Sequence, residues 1–459
     1  MQSGRPPFRG GRFVLRHVQG RCGITAPRRP SLYPRLSTKL DERIIWAHLS
    51  CVPIGLDPLG EFKIMRENMN KLLLASTALV ASATFAMAEV DLSGSAEMGV
   101  FGGETFGEDQ DLQFHTDIDV TFTMSGETDQ GLTFGASIDL DESDDGDAFD
   151  NSKQGGETIF ISGDWGTLTM GDTDGALDWA MDEAIIGASL IDDNEHLGYN
   201  GNSQLDGLYD GQIARYDYSF GDFGVAVSFE ISDDESDVTI DDDGNIVLND
   251  NVIADSDFDQ SDNRDPVWGI GFKYATEFNG WDMGFGLGYQ SGSADDVLVD
   301  TDADIIDGEY TVTRRYYGDV DPEAWGISMS LGMDNGFQAI VNYSDYDELY
   351  QTKVGDFDFT GDGDNSLEVG AQELDKHYGI AMGYEFGELL VAANYGKFDY
   401  DNAESRGWGL IMNYDLGGGA SLQAGYSNSK VEVDGLDAED FGLDDDSVET
   451  YSFGISMAF

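Results

Sequence analysis

The chain has 459 residues, of which 89 are Asp or Glu and 24 are Lys or Arg, so its formal net charge is −65. This acid excess excludes a nucleic acid as a partner, because such binding needs Lys and Arg to neutralise phosphates. Both cysteines, Cys22 and Cys51, lie in the first 64 residues. The remainder therefore cannot be a small extracellular domain held together by disulfides.

A secretory signal peptide is recognisable well inside the chain. Met69-Asn-Lys71 is followed by an apolar stretch over residues 72–85 and then by Ala86-Met-Ala88, a small-x-small cleavage site. The stretch is too short to be a membrane-spanning helix. We therefore expect cleavage after Ala88 and a mature protein that begins at Glu89.

Residues 1–64 differ in composition from the rest, with seven of the nine prolines and eleven Lys or Arg against four Asp or Glu. We interpret residues 1–64 as an upstream extension produced by a misassigned start codon, and residues 65–88 as the signal peptide. The alternative is that the basic extension mimics an organelle transit peptide.

Side chains alternate with period two in the last nine residues, as expected for a β-strand. One face carries small side chains (Ser452, Gly454, Ser456 and Ala458), and the other carries large apolar ones (Tyr451, Phe453, Ile455, Met457 and Phe459). A membrane β-barrel turns large apolar side chains to lipid and smaller ones to its lumen. A last strand that ends on Phe is typical of bacterial outer-membrane barrels.

Residues 89–459 constitute the transmembrane β-barrel domain in this interpretation. We count sixteen strands, joined alternately by short turns such as Asp334-Asn-Gly336 and by long segments rich in Asp, Gly, Asn and Ser. The segments 233–264, 293–322 and 346–375 are read as loops. The pattern predicts an all-β fold, a 16-stranded antiparallel transmembrane β-barrel wide enough for an aqueous lumen.

Two structural expectations accompany this prediction. The α-amino group of Glu89 would lie beside the Phe459 carboxylate where the barrel closes. A soluble β-sandwich is the alternative fold, since it predicts the same alternation of side chains. It does not predict the signal peptide, the terminal Phe and the difference between short turns and long loops.

Several phrases resemble the general-diffusion porins of Rhodobacter-type alphaproteobacteria. They include Glu89–Val100, Gly131–Ser137, Met170-Gly-Asp172 and Tyr414–Ser421. The resemblance covers the mature chain and implies a homotrimer of sixteen-stranded barrels, each with its own pore. It also implies that the third long loop folds inward as a constriction loop, with acids that oppose basic residues on the wall.

The third long loop spans Thr173–Gly211 and has an apolar stretch of its own. Leu177, Met181 and Ala184 have helical spacing, which predicts a short helix packed against the barrel wall. The acids of this loop would then face the pore: Asp182, Glu183, Asp192, Asp193 and Glu195.

The wall of the predicted pore is also acidic. Clear inward cations are restricted to Arg215 and Lys273, a departure from the resembled family. Carboxylates occupy predicted lumen positions of the second and third strands: Asp117, Asp119, Asp139 and Asp141. A pore lined in this way should prefer cations. For any single Asp, an ordinary solvated position is the alternative.

Metal binding and catalysis have weak support in the sequence. Thr239–Gly244 and Asp356–Gly361 resemble the start of a calcium-binding loop but lack the bidentate Glu at position twelve. We expect loosely bound Ca²⁺ or Mg²⁺ as counter-ions and no cofactor, with Asp192, Asp193 and Glu195 as weak metal candidates. The scattered histidines and the absence of a nucleophile motif predict that the protein is not an enzyme.

The sequence therefore predicts a cation-preferring passive pore for ions and small hydrophilic solutes. The expected location is the outer membrane of a Gram-negative bacterium, in contact with lipid and lipopolysaccharide. Two alternatives remain open: a solute-selective channel with a lumenal binding site, and a calcium-binding surface β-protein.

Overall fold

A computed structural model describes residues 89–141, 153–209, 211–231, 238–240, 246–248, 251–254, 266–306, 309–354, 367–436, 438, 443 and 445–459. The chain divides into two units, Met1–Leu72 and Leu73–Phe459, and every described residue lies in the second. The expected upstream extension, the signal peptide and most of both calcium-like segments lie outside the described residues. None of the helices within these ranges is long and apolar enough to cross a membrane.

The described chain forms twenty-two strands, numbered in chain order, and one short helix. Sixteen strands make the main sheet: β1 (Glu89–Thr105), β2 (Glu108–Glu127), β3 (Thr133–Asp141), β4 (Lys153–Gly163), β5 (Gly166–Gly171), β6 (Ile213–Phe220), β7 (Phe223–Glu230), β11 (Val267–Phe278), β12 (Trp281–Ser291), β15 (Glu323–Met333), β16 (Phe337–Asp347), β18 (Leu367–Phe386), β19 (Leu389–Tyr400), β20 (Ala403–Gly417), β21 (Ala420–Val433) and β22 (Ser447–Ala458). The helix α1 spans Ala176–Ala180.

Each of these sixteen strands pairs antiparallel with the next, and β22 pairs with β1, so the sheet closes into a barrel. This confirms the predicted sixteen-stranded fold. The closing register pairs Val100 with Phe453 and Ser95 with Ala458. The Phe459 amide donates a hydrogen bond to the Gly94 carbonyl at 2.9 Å.

The closing register contradicts the expected contact between Glu89 and Phe459. Phe459 lies beside Gly94, five residues along β1 from Glu89. At a rise of about 3.4 Å per residue, that offset separates the two termini of the barrel by about 17 Å. An ion pair between the Glu89 amine and the Phe459 carboxylate is therefore ruled out by the stagger of the strands.

The outward face of the barrel is apolar, as the alternation predicts. In β22 the Phe453 side chain is 53% exposed, whereas that of Ser452 on the opposite face is 4% exposed. Aromatic pairs lie across neighbouring strands at the loop end, with ring centroids 5.3–5.5 Å apart in Trp268–Tyr289, Trp325–Tyr343 and Trp408–Tyr426. Such pairs are typical of the interfacial girdle of a membrane barrel.

The segments predicted as loops contain further strands, so this part of the sequence reading is wrong. Strands β13 (Ala294–Ile306) and β14 (Glu309–Val320) form a hairpin, while β8 (Val238–Ile240), β9 (Ile246–Leu248) and β10 (Asn251–Ala254) form a small sheet. Strand β17 (Tyr350–Val354) pairs with the extended β18. The acidic composition obscured β-branched and aromatic residues, which favour strands.

Candidate pore and its inner segment

Residues 173–209, here called the inner segment, contact the inward face of the barrel. The inward face is the one opposite the exposed apolar side chains. Strands from all around the barrel contribute contacts to the segment. The contacts include Ala176 N–H donating to Ser228 Oγ (2.9 Å), Asp182 N–H to Ser328 Oγ (2.8 Å), Asn394 Nδ2 to Asn194 O (2.7 Å), Ser405 Oγ to Leu197 O (2.9 Å) and Thr450 Oγ1 to Asp193 Oδ1 (2.8 Å). These partners belong to β7, β15, β19, β20 and β22. A single short segment reaches all of them only from inside a closed barrel.

Glycines of the wall allow the inner segment to approach closely. A Cβ added to Gly396 would overlap the Gly198 carbonyl oxygen, and one added to Gly271 would overlap the Ala176 carbonyl oxygen. Both wall glycines lie in strands and face inward. The sequence places such small residues on the lumen face of the strands. The inner segment packs against these same residues.

Helix α1 begins the inner segment and is shorter than its apolar spacing suggests. It ends at Ala180, because Met181 has extended dihedrals (φ −91°, ψ 148°). The Asp182 amide then donates to Ser328 on the wall. Leu177, Met181 and Ala184 are all buried, with 0%, 7% and 6% exposure. Ala184 lies beyond the end of the helix and is buried because it contacts the barrel wall.

His377 attaches the inner segment to the wall, and His196 makes a hydrogen bond within the segment. The Asn200 amide donates to Nδ1 of His377 at 3.3 Å, which leaves Nε2 as the donor to the Gly198 carbonyl at 3.0 Å. His196 Nδ1 accepts from the Gly198 amide at 3.1 Å. Burial and the neighbouring His377 lower the pKa of His196 to about 4. His196 is therefore neutral at physiological pH and acts as a structural contact.

Four of the predicted acids of the inner segment keep part of their surface accessible. Asp192 and Glu195 are exposed, whereas Asp182 and Glu183 are half-buried. Partial desolvation by the enclosing wall and the nearby Glu97 raise the pKa of Asp192 to about 6. Desolvation raises the pKa of Glu195 to about 7, and the nearby Asp192 and Glu183 add to this shift. These acids titrate near neutrality.

The half-buried pair is also shifted. Desolvation raises the pKa of Asp182, while Ser330 and Lys273 oppose the shift. Desolvation likewise raises the pKa of Glu183, against the effect of the hydrogen bond that Tyr199 Oη donates to its carboxylate. Both carboxylates thus carry less charge at a given pH than a carboxylate in bulk water.

Asp193 differs from the expectation that it faces the open pore. It is 1% exposed, and its carboxylate accepts hydrogen bonds from Thr450 and Ser452 of β22. Asp193 is therefore engaged by the barrel wall, whereas Asp192 and Glu195 are exposed. Within the described ranges, no group of three or more His, Cys, Asp or Glu is arranged to hold a metal ion.

The predicted wall acids lie on β2 and β3. Asp119 accepts a hydrogen bond from Ser95 Oγ at 2.7 Å, and Asp139 accepts one from Thr121 Oγ1 at 2.9 Å. Asp117 pairs in register with Glu97 of β1, and Asp119 with Asp141 of β3. The carboxylates of Glu97 and Asp117 thus belong to adjacent strands of the inward face.

The two predicted cations, Arg215 and Lys273, contact the beginning of the inner segment. Arg215 is 8% exposed and donates to the Asp174 carbonyl at 2.6 Å, and its Nε lies 3.8 Å from the Asp217 carboxylate. The Lys273 ammonium lies 3.5 Å from the centroid of the Trp179 ring. Both cations are therefore engaged by the protein.

Sequence reasoning missed three acids near the predicted site residues: Glu97 near Asp192, Asp178 near Arg215, and Asp206 near Asp178. Burial, with Asp174 and Asp206 nearby, raises the pKa of Asp178 to about 8. Burial also raises the pKa of Asp206 to about 7, although Gly175 N–H donates to it at 2.7 Å. The alternation of side chains along β1 could have identified Glu97, because it places Glu97 on the inward face together with Ser95. Asp178 and Asp206 lie outside the strands, so side-chain alternation could not identify them.

Comparison with known proteins places this geometry in a family. The Gram-negative porin family matches residues 75–435. A curated relative, a porin from Rhodobacter capsulatus, is 28% identical over 356 residues, which cover 75% of this chain and 95% of the relative.

Solved structures with similar folds include a porin refined at 1.8 Å resolution. It is 24% identical, with a TM-score of 0.49, and the match covers 81% of this chain and 100% of that one. A loop-deletion variant of OmpT, an outer membrane protein of Vibrio cholerae, is 11% identical with a TM-score of 0.50, covering 81% and 99% of the two chains.

The closed sixteen-stranded barrel agrees with the family match. Its outward face is apolar and its inward face is polar, as a channel in the outer membrane requires. The family match extends over most of the chain. The chain belongs to the Gram-negative porin family, whose members are outer-membrane channels rather than enzymes.

Proposed function

We propose that this porin is a water-filled, cation-preferring channel for passive diffusion of ions and small hydrophilic solutes. The observation that carries the proposal is the acidic lumen. In the inner segment Asp192 is exposed and lies near Glu97 of β1 and Asp117 of β2, and Glu195 lies near Asp192. Clustered carboxylates raise the local concentration of cations and lower that of anions.

The engagement of the two inward cations supports the same proposal. Arg215 is held by Asp174 and Asp217, and Lys273 lies over the Trp179 ring. Neighbouring carboxylates thus partly offset the charge of Arg215, and the ammonium group of Lys273 faces an aromatic ring.

The inner segment is proposed to be the constriction of the channel. It occupies the inward face and contacts strands around the barrel, so solutes would pass beside it. Its proposed lining residues are Asp117, Asp119, Asp139, Asp141, Asp182, Glu183, Asp192, Glu195, Arg215 and Lys273. We further propose that the mature protein begins at Glu89, assembles as a homotrimer, and contacts lipopolysaccharide through its outer face. Loosely held Ca²⁺ or Mg²⁺ would act as counter-ions.

The reversal potential of the reconstituted protein in a planar bilayer under a salt gradient tests ion preference. A potential that favours cations is the expected result, and one that favours anions would contradict the charge argument. Current that rises linearly with salt supports a general channel. Saturation by one solute would instead support a solute-selective channel, and the absence of conductance would support a calcium-binding surface protein.

A further inference from the structure

Three cations form a row on the outer face of the barrel. Lys397 of β19 lies opposite Arg406 of β20, and Arg406 lies opposite Lys430 of β21. Tyr395 and Trp408, two residues away on the same strands, are 37% and 38% exposed. Because residues two apart share a face of a strand, the cations point outward with these aromatic rings.

The cation row lies between an aromatic row and an acidic row. On one side, Tyr395 is paired with Trp408. On the other, Asp399 is paired with Glu404, which is paired with Glu432. Each row is about 7 Å from the next along the strands, from two residues at about 3.4 Å each. Since aromatic residues mark the edge of the hydrocarbon layer, the cations stand at the level of lipid headgroups.

The same level is acidic on three other strands. Glu323 is two residues beyond Trp325 towards the loops, Asp345 is two beyond Tyr343, and Glu449 is two beyond Tyr451. On β18, Lys376 is two residues beyond Tyr378 and is paired with Asp399, so the cations are concentrated on β18–β21.

Carboxylates hold the three cationic side chains in place. Lys397 Nζ lies 2.8 Å from Asp399 and 2.5 Å from Glu404. Arg406 donates to Glu404 and, at 2.6 Å, to Glu432, which also lies 2.9 Å from Lys430. The side chains of Arg406 and Lys430 remain 34% and 38% exposed.

These ion pairs leave donor capacity for another anion. An ammonium has three N–H groups and a guanidinium has five, more than the carboxylates described above use on Arg406. Arg406 and Lys430 keep about a third of their side-chain surface exposed beside these carboxylates, whereas Lys397 is 16% exposed. Phosphate oxygens are suitable acceptors for both groups.

We propose that Lys397, Arg406 and Lys430 bind the phosphate group of an anionic membrane lipid at the loop-side boundary of the barrel. The acidic row orients the cations, and the aromatic row contacts the upper part of the acyl chains. This lipid site lies on the outer face and is independent of the ion preference of the lumen.

The test uses the mature barrel in neutral-detergent micelles, titrated with dioleoyl phosphatidic acid and, in parallel, with dioleoylglycerol, which lacks the phosphate. Native mass spectrometry counts bound lipids. We expect saturable binding of phosphatidic acid only. Since a basic residue near a membrane surface contributes about fivefold in affinity, the variant K397Q/R406Q/K430Q should bind on the order of a hundredfold more weakly. Equal binding of both lipids, or unchanged binding by this variant, would overturn the proposal.

Three controls separate lipid binding from loss of a structural ion network. K397R/R406K/K430R keeps the charges and should keep the binding. Lys430 Nζ also lies 3.0 Å from Asp446. K397Q/R406Q/K430Q/D399N/E404Q/E432Q/D446N removes the cations together with these carboxylate partners, so it should fold without unpaired acids and still lose phosphatidic acid. Arg314→Gln, on strand β14 of the hairpin outside the main sheet, should bind as the unmodified protein does. Competition by inorganic phosphate at the same concentration as the lipid would show a site for free phosphate and contradict a lipid site.

Discussion

The Asp193 carboxylate accepts a hydrogen bond from the Thr450 hydroxyl at 2.8 Å, although the two residues are 257 positions apart. Asp193 belongs to the inner segment and Thr450 to the last strand, β22. Ser452 donates to the same carboxylate. This buried contact joins the segment inside the barrel to the strand that closes it.

Asp193→Ala should loosen the inner segment. Hydrogen bonds to a charged group each contribute about 1.5–3 kcal/mol, and this variant removes the shared acceptor. The open-channel current should become noisier in single-channel recordings, with the barrel still folded. Asp192→Ala is the control, because Asp192 is exposed. Equal noise in Asp193→Ala and the unmodified protein would contradict the anchoring role.

Arginine on the outward face should destabilise the barrel more than arginine on the inward face. Phe453 is exposed on the outer face, and Ser456 of the same strand faces inward. Near the bilayer midplane, Phe453→Arg should cost about 2–4 kcal/mol more than Ser456→Arg. Folding yield in lipid vesicles over a urea series measures the difference. Identical midpoints for the two variants would mean that the facing of β22 is misassigned.

Asp117→Asn with Asp119→Asn should weaken the cation preference, because both acids line the wall beside the inner segment. The preference should also shrink with salt, since the Debye length falls from about 10 Å at 0.1 M to about 3 Å at 1 M. Reversal potentials at the two salt concentrations measure both effects. Glu388→Gln, in a short exposed turn, should leave the potential unchanged. An equal effect of Glu388→Gln would argue against selection by the wall acids.

The cation preference should rise between about pH 5 and pH 8. The pKa values of Asp192 and Glu195 are raised to about 6 and about 7, so both acids are mainly neutral at the lower pH and charged at the higher. Reversal potentials across this range should follow the titration. In the double variant Asp192→Asn with Glu195→Gln, the reversal potential should no longer depend on pH in this range. It should stay at the value that the unmodified protein shows at low pH. A preference that changes only near pH 4 would show that these acids titrate as in bulk water.

Gly396→Ala should displace the inner segment, because the added Cβ would overlap the Gly198 carbonyl oxygen. Overpacking of this kind costs about 1–3 kcal/mol and moves neighbouring backbone. A changed single-channel conductance is the expected result. Gly201→Ala is a matched control, since its Cβ would meet nothing nearer than Tyr199 Oη at 3.7 Å. Unchanged conductance in Gly396→Ala would mean that the segment does not narrow the channel.

The sequence alone was sufficient to predict the barrel, its strand number and the facing of β22. Period-two alternation is a local property: Phe453 and Ser452 must point to opposite faces of any strand that contains them. The membrane then selects which face is outward, because lipid excludes polar side chains. Acidic composition was a poor guide to the segments beyond the barrel, where Ala294–Ile306 and Glu309–Val320 pair as a hairpin.

Tertiary structure alone decided how the inner segment is held and how its acids behave. Asp193 and Asp192 are adjacent in sequence, yet Asp193 is buried against Thr450 while Asp192 is exposed. The stagger that places Phe459 beside Gly94 likewise depends on closure of the whole barrel. Both follow from contacts between residues far apart in the chain, and alternation along a single strand carries no information about such contacts.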